Sequence, residues 1–407
     1  MHHLSGDQQL LKSLNRMAIV RELGRNPGQS RAAVAESLQL TKSTVSLLVR
    51  ELSEEGWLFE RDALITGEVG RRPTPLFIDP DRLVLLGAEL SVQQLRVVAT
   101  TLTGEVLERV SLPLVTPCDA DSGLALLAHA LLKLRAKLQL DGQRIIGIGV
   151  GLPGGVDAVS GQMRHAPNLG WRDVPARAML AHQLGGSALA GVPIFVQNNA
   201  DAAAIGEVEF NAGTADSSAS APLVYLNIGQ GVGAGIFVQD QLLTGAHGFA
   251  GEVGHTILQL DGPVCACGRN GCAEAVVGLR AMQPEGEAPL TANVDAIRQR
   301  LNRGDADTHE RVARAGRYLG MLLWNLNAAY DPGRIVLGGP AVELGEAFLA
   351  PALHTLQQYL DRSGSPAPHI GTARSGAEAV AIGAAALARY RLTHPPLTAS
   401  PPLAAAA

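Results

Sequence analysis

The chain has 407 residues, a formal net charge of −5 and 17% charged side chains. That length accommodates two or three domains with a large core, and the near-neutral balance excludes a protein that holds nucleic acid by bulk charge, so any DNA contact must be local. Three of the four cysteines fall within eight residues, which is no disulfide framework. No apolar run is long enough to span a membrane and "MHHLSGDQQLLKSLNR" lacks a signal-peptide core, so a soluble cytoplasmic protein is expected.

Residues 8–62 read as helices joined by the short turns "RNPGQS" and "LQLT". In "SRAAVAESLQLTKSTVSLLVRELSEEGWL", Ser30 and Thr41 are suited to cap successive helices, and Leu40 with Val45 forms a hydrophobic staple across the second start. Val45, Leu48, Val49 and Leu52 share one helical face, leaving Lys42, Ser43, Ser46, Leu47 and Arg50 on the other. Small polar residues at a helix start with an arginine further along suit insertion into a major groove. "WLFERDALITGEVGRRPTPLFID" then reads as two short strands around a tip carrying Arg71 and Arg72. Together these predict a winged helix-turn-helix contacting double-stranded DNA through Lys42, Ser43, Ser46, Arg50, Arg71 and Arg72. Residues 1–75 carry 10 Lys and Arg against 9 Asp and Glu, whereas the remainder is acidic. The asymmetry is modest but points the same way.

From residue 83 the pattern becomes α/β. Continuous apolar runs ("LVLLGAEL", "LRVVATTL", "RIIGIGVGLPG", "VPIFVQNN", "PLVYLNIGQG", "AGIFVQ", "RIVLGG") alternate with helical stretches such as 121–140 and 307–329, as buried strands flanked by helices would. "TADSSASAP" and "MQPEGEAPLT" read as loops, and "THPPLTASPPLAAAA" as a disordered tail. The expected division is a DNA-binding domain over 1–80, an α/β domain over 81–392 and a tail over 393–407.

Within the α/β region, His255, Cys265, Cys267 and Cys272 are spaced ten, two and five apart. Three thiolates and an imidazole form a recognised four-coordinate zinc set, and a closed set with no position left for water implies a structural metal. Gly268 and Gly271 let this segment curl back on itself. "YLNIGQGVGAGIFVQ" is a strand, a glycine-rich turn and a strand; G-x-G-x-x-G is absent and no helix follows, so a dinucleotide fold is not expected.

"NIGQGVGAGIFVQDQLLTGAHGFAGEVGHT" followed by "CACGRNGCAE", with "GVGLPGGVD" and "APNLGW", resembles the ROK family of repressors, open reading frames and sugar kinases over about residues 83–390. The winged helix ahead of it resembles the repressor branch. The resemblance implies an actin-like fold of two RNase-H-like lobes with a sugar in the cleft and a zinc site at His255, Cys265, Cys267 and Cys272. It also implies that Asn198, Asn199, Glu252, His255 and Glu274 line the cleft, closed by Asn168 and the Gly154–Gly155 turn. His255 would then face both metal and sugar, so that the metal positions recognition groups rather than attacking anything.

Family kinases place an Asp after an Asn as general base, whereas "VQNNADAAAIGE" puts Asn199 there. They also carry an Asp-x-Gly-Gly-Thr phosphate loop on the first strand, and "LLGAELSVQQL" reads as lacking both its acid and its glycine pair. The expectation is therefore no catalytic residue, and a sugar-responsive transcriptional regulator, a repressor acting as a homodimer or dimer of dimers. The alternative is a ROK-type sugar kinase using ATP.

Overall fold

The computed structural model describes residues 8–61, 74–114, 118–210, 221–239, 241–284, 286 and 292–395. Arg71 and Arg72, most of the two predicted loops and the tail beyond residue 395 lie outside the described residues.

Local capping chemistry sets the N-terminal module. After α1 (Gln8–Arg25), Ser30 caps α2 (Arg31–Ser37) by accepting from the Ala33 amide, and Thr41 caps α3 (Lys42–Glu54) by accepting from the Thr44 amide at 3.1 Å. Val45, Leu48, Val49 and Leu52 are buried and Leu40 packs on the same cluster, as the staple requires. Lys42, Ser43 and Arg50 are exposed and Ser46 is half-buried on the opposite face. β1 (Leu58–Glu60) pairs antiparallel with β2 (Leu76–Ile78) to form the base of the wing. Removing the α3 cap with Thr41→Ala should cost about 1 kcal/mol in urea unfolding; no loss would mean that Thr44 does not depend on that hydroxyl.

β3 (Leu83–Leu90), β4 (Gln94–Thr101) and β5 (Val106–Pro113) make an antiparallel meander. After α4 (Ala120–Lys137), β6 (Arg144–Leu152) joins β3 in parallel. A small sheet of β7 (Gly155–Asp157), β8 (Gln162–Ala166) and β9 (Trp171–Val174) follows, then α5 (Ala176–Gln183). β10 (Ile194–Asn198) lies parallel to β6 and runs directly into α6 (Asn199–Glu209). The first lobe thus has the order β10-β6-β3-β4-β5.

The second lobe repeats the plan. β11 (Leu223–Ile228), β12 (Val232–Val238) and β13 (Gln241–Leu242) form the meander, and α7 (Ala273–Val277), α8 (Val294–Asn302) and α9 (Ala306–Tyr330) precede β14 (Arg334–Gly338). α10 (Glu346–Ser363) leads to β15 (His369–Thr372), giving β13-β12-β11-β14-β15. Two antiparallel meanders, each extended by two parallel strands, are the paired RNase-H-like lobes of an actin-like fold. β5 was not anticipated, because its alternating pattern of exposed and covered residues, set at the sheet edge, lacks a continuous apolar run.

The last helix, α11 (Ala379–Thr393), returns from the second lobe to pack on β3, β6 and α6. Its alanines allow burial on several sides, and the facing strands must be equally slim: a Cβ on Gly149 would sit 1.7 Å from the Ala384 carbonyl oxygen. Further along, Ala385 and Ala388 join Ile19, Val20 and Leu23 of α1 and Leu83 and Leu85 of β3 in one apolar cluster. The N-terminal winged-helix module is therefore packed into the first lobe rather than hung from a linker. α11 touches the interlobe cleft at Ala379 and Val380 and the winged-helix core one to three turns later.

Candidate functional site

A cleft of about 640 Å³ opens between the lobes. From the first lobe it is lined by the β3–β4 turn, Gly154, Asn168 and the start of α6, and from the second by the β11–β12 glycine turn, Glu252, His255 and Glu274. Of the residues expected there, Gly154, Asn168, Asn198, Asn199, Glu252, His255 and Glu274 are brought together. Gly155 is not at the cleft wall; it lies under the Phe249 ring, which a Cβ would approach to 2.3 Å. The small residue there serves packing between a second-lobe loop and β7.

Local bonding distinguishes frame from contact surface. Asn198 caps α6, its Oδ1 accepting from Ala200 N at 2.7 Å and Asp201 N at 3.4 Å, while its Nδ2 donates to the Gly154 carbonyl at 2.8 Å. One amide hydrogen remains for another partner. Asn199 donates from Nδ2 to the Leu90 carbonyl at 3.3 Å, and its Oδ1 is buried without a partner, 2.7 Å from where a Gly151 Cβ would be. Both ends of that amide face the protein, so Asn199 forms cleft floor.

The acidic wall is on the second lobe. Glu252 immediately precedes a one-turn 3-10 segment (Val253–His255), which sets its carboxylate 3.7 Å from His255 Nε2. Burial, and then the neighbouring Glu274 charge, push Glu252 up to about 7. Glu274 is buried, with Oε2 accepting from Val232 N of the glycine turn at 3.2 Å.

Behind this wall the cysteines form a knot. Bridges pair Ile257 with Cys272 and Val264 with Asn270, and the left-handed Gly268 and Gly271 turn the chain between them. His255 Nδ1 lies 3.7 Å from Cys265 Sγ, Cys267 Sγ lies 3.7 Å from Cys272 Sγ, and the four ligand atoms lie within 4.8 Å of one another. Ligands about 2.3 Å from a tetrahedral zinc stand roughly 3.8 Å apart, so the set fits a metal with its other imidazole nitrogen directed to Glu252.

Two features escaped the sequence reading. Glu89, near the end of β3, does line the cleft; the first strand is not without an acid. Burial raises its carboxyl while Arg96, at 3.2 Å, opposes that shift. Its place inside the apolar run "LLGAEL" concealed it. Gln93 of the β3–β4 turn also reaches across the cleft, donating to the Ala292 carbonyl at 3.1 Å, where Gln230 of the glycine turn donates as well. Such a clasp joins residues far apart in sequence and leaves no local signal.

Gly231 offers a clean probe, since its backbone is outside the left-handed region and a Cβ would stand 3.2 Å from Glu274 Oε2 and 3.4 Å from Asn168 Nδ2. Gly231→Ala should leave the melting temperature nearly unchanged and weaken ligand binding by about tenfold or more, since an added methyl among site groups displaces a well-placed hydroxyl. Calorimetric affinity equal to wild type would place the ligand elsewhere.

The geometry defines a class: a two-lobed, actin-like α/β protein with a winged helix-turn-helix built into its first lobe. The ROK family model matches residues 85–391 and a winged helix-turn-helix DNA-binding model matches residues 13–58. The chain belongs to the ROK family. It is 30% identical to the xylose repressor of Caldicellulosiruptor bescii over 368 residues, 87% of this chain and 90% of the relative. A glucokinase of Halalkalibacterium halodurans is 29% identical over 295 residues, 67% of this chain and 85% of that enzyme. Among solved structures, a ROK family transcriptional regulator homologous to the E. coli MLC protein shares the fold with a TM-score of 0.74 at 23% identity, covering 94% of this chain and 97% of that one. Among the described residues no helix is long and apolar enough to cross a membrane.

Proposed function

We propose that the chain is a sugar-responsive transcriptional repressor in which the interlobe cleft is the sensor and the winged helix the output. The observation that carries this reading is the single apolar cluster joining α1, β3 and α11, because α11 also lines the cleft. A ligand that alters how the lobes meet thereby bears on the seat of the DNA-binding module. The repressors among the relatives, named for xylose, support an aldose as effector.

Asn168, Glu252, His255 and Glu274 contact sugar hydroxyls, while Gly154, Asn198 and Asn199 frame them. Zinc at His255, Cys265, Cys267 and Cys272 would hold the four ligands in one fixed arrangement; this chain's own contribution is to orient His255 between the knot and Glu252. Lys42, Ser43, Ser46 and Arg50, together with Arg71 and Arg72, engage operator DNA, and a homodimer presents two such helices to paired half-sites.

One observation favours a kinase: Glu89 stands at the cleft end of the first strand. Against it, Asn199 can accept no proton as a general base and Gln93 and Gln230 occupy the turn region where phosphates would lie. Sugar-dependent ADP release at 1–100 s⁻¹, the usual kinase range of about those values, would establish the enzyme instead.

The test uses full-length protein and an operator duplex selected by it from random DNA. Arg50→Ala and Lys42→Ala are each expected to weaken operator binding by about 1–3 kcal/mol or to lower the salt slope by about one. If neither variant changes affinity or slope, α3 is not the reading helix.

A further inference from the structure

We infer that Arg61 is a fixed anchor for one backbone phosphate of duplex DNA, held on a platform of two phenylalanine rings and indifferent to base sequence. This rests on the reading of the winged helix as the operator-binding part, and it separates the contact that grips from the contacts that read.

The platform follows from strand register. Phe59 of β1 stands opposite Phe77 of β2, so both rings leave one face of the strand pair, while Leu58, Leu76 and Ile78 turn into the core of the module. The ring centroids are 5.6 Å apart, and the Arg61 guanidinium lies 5.3 Å from the Phe59 centroid and 4.7 Å from that of Phe77. The backbone is fixed as well: the Arg61 amide donates to the Pro75 carbonyl at 3.2 Å, and Gly28 abuts Phe77 so closely that a Cβ there would come within 3.3 Å of the ring. An arginine that stacks by its flat face keeps the N–H groups at its edge for an anionic acceptor. Stacking also removes in advance part of the side-chain freedom that binding would otherwise cost.

The neighbouring charges leave this group uncompensated. Elsewhere in the module Lys12 is paired with Glu51, Arg16 with Glu55 and Arg31 with Glu60. Glu60, next to Arg61 in sequence, is thus engaged on the opposite face of the strand. Arg61 itself is exposed, and among the described residues its partners are the two rings and no carboxylate. β1 packs against α3, which sets the platform beside the helix that carries Lys42, Ser43, Ser46 and Arg50. A guanidinium folded back onto its own strand pair cannot extend into a groove, so the acceptor it meets there is the phosphate ridge flanking that groove. Contacts of this kind fix register and add affinity without carrying sequence information.

Fluorescence anisotropy of the full chain over a range of salt, on the selected operator and on a scrambled duplex of the same composition, tests this. Arg61→Ala should weaken both complexes by the same factor, about fivefold to tenfold at about 0.1 M salt, and flatten both salt slopes by about one, since one counterion fewer is released. Its melting temperature should stay close to that of the wild type. Arg61→Lys should restore the slope but only part of the affinity, because an ammonium carries the charge without the stacking, and Phe59→Leu should do the same with the arginine in place. A lowered melting temperature with unchanged slopes would make Arg61 a structural cover for the rings and overturn the inference. A loss confined to the operator, the mark of a base reader, overturns it too, as does an Arg61→Ala protein that matches the wild type on both duplexes; all three leave the operator reading standing. Wild-type protein with no preference for the operator removes that reading, and the inference with it.

Discussion

Cys272→Ser should abolish stoichiometric metal in elemental analysis of the purified protein and weaken sugar binding by about 10–100-fold, the usual effect of disturbing the groups that orient a metal site. Cys272 is fully buried and immediately precedes α7, which carries Glu274. The Ala273 amide donates to the Thr256 carbonyl at 2.8 Å, so the same short stretch fixes the position of His255. Losing the knot therefore disperses Glu252, His255 and Glu274 together, although none of the three is substituted. Chelation of the wild type should reproduce the loss, and restored zinc should reverse it. Sugar affinity that survives metal removal would show that the knot and the cleft wall are independent.

Arg389→Ala should lower stability by about 3–5 kcal/mol, the cost of breaking a buried ion pair and leaving one partner uncompensated. Arg389 is buried in α11 and donates from Nε to Glu209 Oε2 at 2.8 Å and from Nη1 to the Leu102 carbonyl at 2.7 Å, with Nη2 on the Glu209 carbonyl. It thereby ties α11 to the end of α6 and to the turn after β4, while its guanidinium lies over Phe210 at 5.2 Å. One turn on, Arg21 of α1 donates to the Thr393 carbonyl. Urea unfolding reads the stability loss. At a temperature where the variant remains folded, operator affinity should persist while its response to sugar shrinks. Unchanged stability would mean that the pair contributes no more than an apolar contact there.

The parts legible in the sequence were those whose chemistry is local. Ser30, Thr41 and the Leu40–Val45 pair announce a tight helix pair because capping and stapling involve neighbours within a turn. The metal set was readable for the same reason, since three of its four ligands lie in one eight-residue segment. Cleft residues were harder. Asn198 carried a correct address, but its amide proves to hold α6 and Gly154 together, which only the turn geometry shows. Glu89 was hidden in an apolar run and Gly155 was placed one residue beyond the wall. α11 escaped because alanine and glycine give no periodic contrast between a buried and an exposed face. It nevertheless touches both cleft and winged helix, as β3 does through Glu89 on one side and Leu83 and Leu85 on the other.

The most direct test of that connection is fluorescence anisotropy of a preformed complex between the full chain and its selected operator at fixed salt, titrated with the free sugar that calorimetry identifies. Occupancy of the cleft should reverse DNA binding with a midpoint that follows the sugar's own dissociation constant, and Gly231→Ala should move that midpoint upward while leaving operator affinity intact. Saturation of the cleft with no change in operator affinity would contradict the account, leaving a DNA-binding module and a sugar site that share a core without communicating.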